Sequence, residues 1–151
     1  MRYCSTRGGV QDLSFVDSLL MGLASDGGLL IPESIPDISD RLDEWQSLSF
    51  VELAKAVLEF ADDIDKATIS RLVDQAYASF DHPEVVPLVE LGDFTLVELF
   101  HGPTLAFKDV ALQLLGQLFE YALALDGRHM NILGATSGDT GSAAIAEGLH
   151  L

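Results

Sequence analysis

A chain of 151 residues is long enough for one ordinary domain with a real core, or for pieces of two. Eight basic side chains against twenty-four acidic ones give a formal net charge of −16, which repels phosphate backbones and anionic headgroups and argues against nucleic-acid or membrane-surface partners. Hydrophobic residues still make up 48% of the chain, so much apolar surface must be buried, yet no apolar run approaches the roughly 18 residues of a membrane span.

Met1 to Val10 is polar and Gly-rich and lacks the apolar core of a signal peptide, so the expected location is the cytoplasm. Cys4 is the single cysteine, which permits no internal disulfide and too few ligands for a thiolate metal site. Val10, Leu13, Val16, Leu19, Leu20 and Leu23 recur at helical spacing and predict one amphipathic helix, broken by Gly22 and the Ser25 to Gly28 cluster. Leu29, Leu30 and Ile31 read as a short extended piece stopped by Pro32. Ser49 with Glu52 three residues later is a capping-box signal and predicts a helix through about Ala61. Ile69, Leu72, Val73, Ala76 and Phe80 mark a further helical face, ended by Asp81, His82 and Pro83.

From Val85 the pattern changes. Val85 to Leu91 and Phe94 to Phe100 suit two strands, with Gly92 and Asp93 as the tight turn of a hairpin. Val110 to Leu125 carries the longest helical pattern, closed by Asp126 and Gly127. A buried strand is expected at Met130 to Ala135, then a loop rich in glycine and hydroxyls, then a helix from Ser142. The chain thus divides into a mainly helical region, 1–84, and the start of an α/β region, 85–151.

Two segments carry chemistry. In His101 to Asp109, Gly102 and Pro103 force a bend, and Lys108 falls near the first turn of the long helix. The unpaired N–H groups there disfavour an added positive charge, which helps a lysine attack a carbonyl. Taken alone, a lysine at a helix start is also what an exposed, solvated side chain looks like. In Gly134 to Ser142, backbone N–H groups at a strand-to-helix turn converge where a carboxylate or phosphate can approach. The nucleotide phosphate-loop pattern fails there, because Asp139 and Thr140 stand where Gly and Lys are needed, and no dinucleotide fingerprint is present. A plain capped turn would account for the loop equally well.

Five blocks in order, Ser5 to Gly9, Asp26 to Leu29, Glu98 to Thr104, Phe107 to Asp109 and Thr136 to Gly141, resemble threonine synthase, a pyridoxal-phosphate enzyme family. Family members run to several hundred residues, so the resemblance is to their N-terminal part, without the later glycine-rich loop that grips the cofactor phosphate. The resemblance implies an α/β fold of the kind called fold type II. An N-terminal helical extension would precede part of the open-sheet cofactor region, the whole being incomplete in this chain.

It further implies that Lys108 holds pyridoxal phosphate as a Schiff base and shuttles protons. Ser137, Gly138, Asp139 and Thr140 would lie over the cofactor ring and the substrate carboxylate, with Asp139 facing the ring's 3′-oxygen. Arg7 and Thr104 would contact the substrate phosphate, although loop structure and helix capping explain them as well. The implied reaction is that of a carbon–oxygen lyase of threonine biosynthesis, converting O-phospho-L-homoserine and water to L-threonine and phosphate. A non-catalytic truncated or interaction domain, or another lyase of the same cofactor class, are the alternatives. Elements that normally pack on absent sequence would leave the isolated chain inactive, and weakly stable, self-associating or dependent on the remaining portion.

Overall fold

The computed structural model describes residues 1–136 and 138–146. Its first element is a strand the sequence pattern does not announce, β1 (Tyr3–Ser5). Val10 and Leu13 belong to its partner loop and not to a helix: Ser5 N donates to Val10 O at 2.8 Å, and Tyr3 and Leu13 exchange bonds of 2.9 and 3.0 Å. The expected helix over Val10 to Leu23 is therefore corrected to α1 (Phe15–Met21). Ser14 caps it, its Oγ accepting from Asp17 N at 3.0 Å, and Gly22 ends it at φ 64°. The apolar spacing there is shared by a turn and a helix, and the cap decides where the helix begins.

The extended piece is present as β2 (Leu30–Pro32), antiparallel to β1 with Cys4 opposite Ile31. After a 3-10 turn at Ser39–Arg41 come α2 (Leu42–Trp45), α3 (Phe50–Leu58) and α4 (Lys66–Tyr77). The capping box of α3 is complete, with Ser49 N donating to Glu52 Oε2 at 2.8 Å and Glu52 N donating to Ser49 Oγ at 3.3 Å. That helix ends at Leu58, short of Ala61. On α4, Ile69, Leu72, Val73 and Ala76 are buried as their spacing predicts.

The hairpin pairs β3 (Leu88–Leu91) with β4 (Phe94–Val97), Leu91 opposite Phe94. Gly92 takes φ 63° while Asp93 does not enter the positive region, the pattern of a II′ turn in which the first central residue is glycine. The long helix α5 (Asp109–Asp126) follows, closed by Gly127 at φ 62°. Last comes α6 (Asp139–Ala146), which starts three residues ahead of the expected Ser142.

The main core forms where α3, α4 and α5 meet, around Ile69, Leu72, Val73, Tyr77, Val85 and Leu118, with Phe15 and Leu19 of α1 packed on it. Burying these side chains contributes about 1.5–3 kcal/mol apiece. Val85 is 3% exposed and sits at φ 61°, a costly conformation for a β-branched residue that the packed core holds in place. The strand expected at Met130 to Ala135 is absent: residues 130–136 belong to no strand, and Leu133 is 100% exposed. A strand needs a neighbour to take its hydrogen bonds, and the described residues supply none. The result is a helical cluster with two small antiparallel sheets, an incomplete version of the expected fold.

Candidate active site

The segment from His101 to Asp109 is a compact turn that delivers the chain into α5. Leu105 N donates to Gly102 O at 3.1 Å, Asp109 N to Ala106 O at 3.0 Å, and Leu112 N to Lys108 O at 2.9 Å. Lys108 is therefore the residue that enters the helix, at φ −64° and ψ −23°, as its position in the sequence predicts. Asp109 is wholly buried and reaches back along the loop. Its Oδ2 accepts from Thr104 N and its Oδ1 from Thr104 Oγ1, both at 2.8 Å. Gly102 lies so close to this carboxyl group that a Cβ on it would collide with the Asp109 side chain.

The lysines differ in their surroundings. Lys55 is paired with Asp74 at 2.6 Å and Lys66 with Glu59 at 2.7 Å. Lys108 forms no ion pair among the described residues; its Nζ lies 4.5 Å from the centre of the Phe107 ring, and the side chain is half-buried. An amine over an apolar ring, not neutralised by a carboxylate, suits condensation with an aldehyde better than one locked in a salt bridge.

His101 anchors the start of the loop. Its Nδ1 lies 2.7 Å from Asp81 Oδ1 and its Nε2 lies 2.8 Å from Glu98 Oε2. These two carboxylates, Glu98 foremost, raise the imidazole pKa above its ordinary value. Asp81 N donates to His101 O at 3.0 Å, so the chain beyond α4 and the exit of the hairpin are tied to the same residue.

Across from the loop, α6 begins at Asp139. Thr136 Oγ1 accepts from Gly138 N at 3.2 Å and Gly141 N at 3.1 Å, and a Cβ on Gly141 would come within 2.7 Å of that oxygen. Two of the amides expected to receive an anion are thus held by a hydroxyl. Gln113 of α5 fixes α6 in turn, its Nε2 donating to Ala143 O at 3.3 Å. Asp139, Thr104, Leu105, Phe107, Leu96 and Phe100 line one open pocket, so the two chemistry-bearing segments meet at a common surface. Thr140 instead lines an apolar groove with Leu112, Leu115 and Ile132. Ser137 lies outside the described residues.

Arg7 sits in a clasp formed by the first two blocks. Asp26 accepts from Ser5 Oγ at 2.7 Å, Gly28 N at 2.9 Å and Gly9 N at 2.8 Å, while Arg7 Nη1 donates to Asp26 O at 3.0 Å. Thr6 N donates to Leu29 O at 2.9 Å, and Leu29 N donates to Thr6 Oγ1 at 3.0 Å. These bonds hold the Asp26 carboxyl pKa below its usual range, the Ser5 hydroxyl most of all and the Gly28 amide next.

Sequence reasoning did not single out Asp109, the His101 clamp or Thr136. The Thr104-to-Asp109 spacing across a Gly-Pro bend was the available signal for the first, and a threonine two residues ahead of a glycine for the third.

Residues 2–77 match the sequence model of a family described as "Threonine synthase N terminus". The threonine synthase of Pseudomonas aeruginosa is 50% identical over 149 residues, covering 96% of this chain and 32% of the relative. That of Schizosaccharomyces pombe is 48% identical over 156 residues, covering 95% and 30%. A crystal structure of pyridoxal-phosphate-bound threonine synthase from Brucella melitensis superimposes with a TM-score of 0.92 at 48% identity, covering 97% of this chain and 32% of that one. The chain spans about a third of the length of these relatives.

Proposed function

The chain belongs to the threonine synthase N-terminus family, and from that premise we propose that Lys108 is the cofactor-bearing lysine of a threonine synthase whose N-terminal third these residues make up. The carrying observation is the setting of Lys108: at the mouth of α5, free of any ion pair among the described residues, its Nζ over the ring of Phe107, which with Thr104 and Ala106 lines a pocket shared with Asp139, although Lys108 itself is not among the lining residues. The residues fit pyridoxal phosphate in this respect, since the group needs a nucleophilic amine and a polar rim beside an apolar wall. When bound, pyridoxal phosphate supplies an aldehyde for the amine and an electron sink for the reacting carbons.

In this reading the enzyme is a carbon–oxygen lyase of threonine biosynthesis. It converts O-phospho-L-homoserine and water to L-threonine and phosphate. The Lys108 amine takes up and returns protons at the substrate's carbons, a task one lysine performs repeatedly when it stays within hydrogen-bond reach. Of the proposed cofactor contacts Ser137, Gly138, Asp139 and Thr140, Asp139 is the one that lines the pocket beside the 101–109 loop, while Thr140 lines the groove along α5 and the Gly138 amide is held by Thr136. Thr104 and Arg7 are the proposed contacts to the substrate phosphate, at different costs. Both polar hydrogens of Thr104 go to Asp109, whereas Arg7 gives one N–H to the Asp26 carbonyl and keeps further donors.

The proposed division is an N-terminal mainly helical region, 1–84, followed by the start of the cofactor-binding α/β region, 85–151. It is supported by the family match ending at residue 77 and the hairpin beginning at Leu88. Apolar residues exposed on the hairpin and on residues 130–136 favour a chain that depends on the remaining two thirds of the enzyme for turnover or associates with itself. Acidic charge disfavours nucleic acid, and no helix among the described residues is long and apolar enough to cross a membrane. We assign the enzyme to the cytoplasm.

The test is to mix the chain with pyridoxal phosphate, reduce with borohydride and map the modified lysine. Lys55 and Lys66 serve as internal controls. Label on Lys108 well above theirs is expected; label spread evenly over the three would defeat the assignment. Phosphate release from O-phospho-L-homoserine, with this chain replacing the matching third of the Pseudomonas aeruginosa relative, then tests the substrate.

A further inference from the structure

Asp109 is a buried acid that the chemistry above does not use. It stands one residue beyond Lys108, and its carboxylate is wholly removed from solvent. Its two oxygens accept from the amide and the hydroxyl of Thr104, each at 2.8 Å. Gly102 is pressed against the same side chain, leaving no room for a Cβ. Between these contacts Leu105 is held at φ 61°, a left-handed conformation that leucine adopts at a cost of roughly 1–2 kcal/mol. No cation pairs with Asp109 among the described residues, and its two hydrogen bonds to Thr104 are made at the N-terminal end of an 18-residue helix.

We infer that Asp109 is a positioning residue for Lys108: by bonding Thr104 through both oxygens it closes the 102–109 loop and fixes the direction in which the lysine leaves the backbone. The inference rests on the proposed role of Lys108. Lys108 has no ion pair of its own among the described residues to orient it, and its Nζ lies 4.5 Å from the centre of the ring of Phe107, its sequence neighbour in the same loop. The direction of the amine is therefore set by loop closure. Misplacing a reactive group by about 1 Å can cost two orders of magnitude in rate, so a loop released at Asp109 would leave the amine present but badly aimed.

The experiment compares the chain with Asp109→Ala, Asp109→Asn and Thr104→Val, reading two quantities in each. One is the share of borohydride-trapped pyridoxal phosphate on Lys108 relative to Lys55 and Lys66. The other is the hydrogen-exchange rate of the Thr104 amide. Asp109→Ala removes both bonds and should bring the Lys108 share down about tenfold or more, toward that of the other two lysines, while Thr104 exchanges faster. Thr104→Val keeps the shape, loses the hydroxyl bond and should lower the share a few-fold.

Asp109→Asn should stay close to the parent chain, because its amide can accept from the Thr104 N–H and donate to Oγ1. If Asn behaves like Ala, charge and not position is at work, and the inference falls. Should Asp109→Ala fail to fold, as judged by circular dichroism, Thr104→Val decides by the same two readouts. A parent chain with no preference for Lys108 removes the lysine assignment and this inference with it. A parent preference untouched by Asp109→Ala or Thr104→Val, with Thr104 exchange unchanged, removes the inference alone.

Discussion

The hydroxyl of Tyr77 donates to the carbonyl of Val110 at 3.1 Å, joining the last turn of α4 to the first turn of α5 two residues beyond Lys108. Tyr77 also meets Phe50 and Phe80 edge-on, with ring centres 5.1 and 5.5 Å apart. The core packing and the candidate active loop are therefore connected through one side chain.

Tyr77→Phe keeps the ring contacts and deletes that bond. The expected loss is about 1 kcal/mol, the usual net worth of a partly buried hydrogen bond, read as a lower urea midpoint with unchanged slope. Burial pushes the Tyr77 phenol up to about 12. Because the folded value lies above the unfolded one, the stability linked to this proton is intact below about pH 10 and lost as pH rises toward 12. Burial, with Asp63 and Asp62 nearby, raises the Tyr3 phenol as well, so ultraviolet titration of the folded chain should show Tyr77 ionising last, and Tyr77→Phe should remove that last step. A chain whose tyrosines all ionise together near pH 10 would contradict the buried setting.

His101 provides the second pH dependence, with the same sign and a lower window. Glu98 and Asp81 raise its folded pKa, so the protonated form is favoured in the native state. Its contribution is present below the ordinary histidine value of about 6.5 and fades as pH climbs through the raised one. The ring of His82 lies nearby at a tilt, ring centres 4.9 Å apart. The melting temperature of the parent should drop across that window, and the drop should shrink in His101→Gln. Equal pH profiles for the two proteins would count against the clamp.

Much of this arrangement was legible in the residues, and the failures share a cause. Elements whose signals are local came through: the Ser49–Glu52 box, the buried face of α4, the Gly92 turn and the entry of Lys108 into α5 each rest on neighbours a few positions apart. Two expectations failed where the outcome depended on distant partners. Val10 and Leu13 have helical spacing, but Ser5 and Tyr3 recruit them into a pairing that periodicity cannot see. Met130 to Ala135 has strand composition and no strand to pair with among the described residues. The candidate site follows the same rule. The lysine and the glycine-rich loop stand out as motifs, whereas the Thr104–Asp109 bonds and the Thr136 cap emerge only once the chain has turned back on itself.

Gly28 tests the clasp between the first two blocks. A Cβ there would strike Ser5 Oγ and come within 3.0 Å of Asp26 Oδ1 and 3.1 Å of Arg7 N. Ser5 cannot rotate away without giving up its bond to Asp26. Gly28→Ala should therefore destabilise by about 1–3 kcal/mol, the range for overpacking a close-fitted site. The low pKa of Asp26 adds an acid limb: its contribution holds above the unfolded carboxylate value of about 3.9 and disappears as pH falls through the folded one. In Gly28→Ala that limb should flatten. Denaturation at pH 7 and pH 3 reads both effects, and an unchanged midpoint would show that the clasp opens freely.

The hairpin poses the last question, because its apolar residues have too little to pack against. Phe94 is 78% exposed, and Leu88, Leu91, Leu96 and Val97 are exposed with it on both faces of β3 and β4. A two-stranded hairpin is marginal alone in water, and an apolar edge of this kind pairs readily with another. The isolated chain should associate reversibly at high concentration. Phe94→Thr with Leu96→Thr should weaken that association while leaving the melt of the helical core in place, since neither side chain belongs to it. Sedimentation equilibrium over a hundredfold concentration range measures the first effect and circular dichroism the second. A parent chain that stays monomeric throughout, with a sharp two-state melt, would mean that the hairpin is stable with its apolar faces in water.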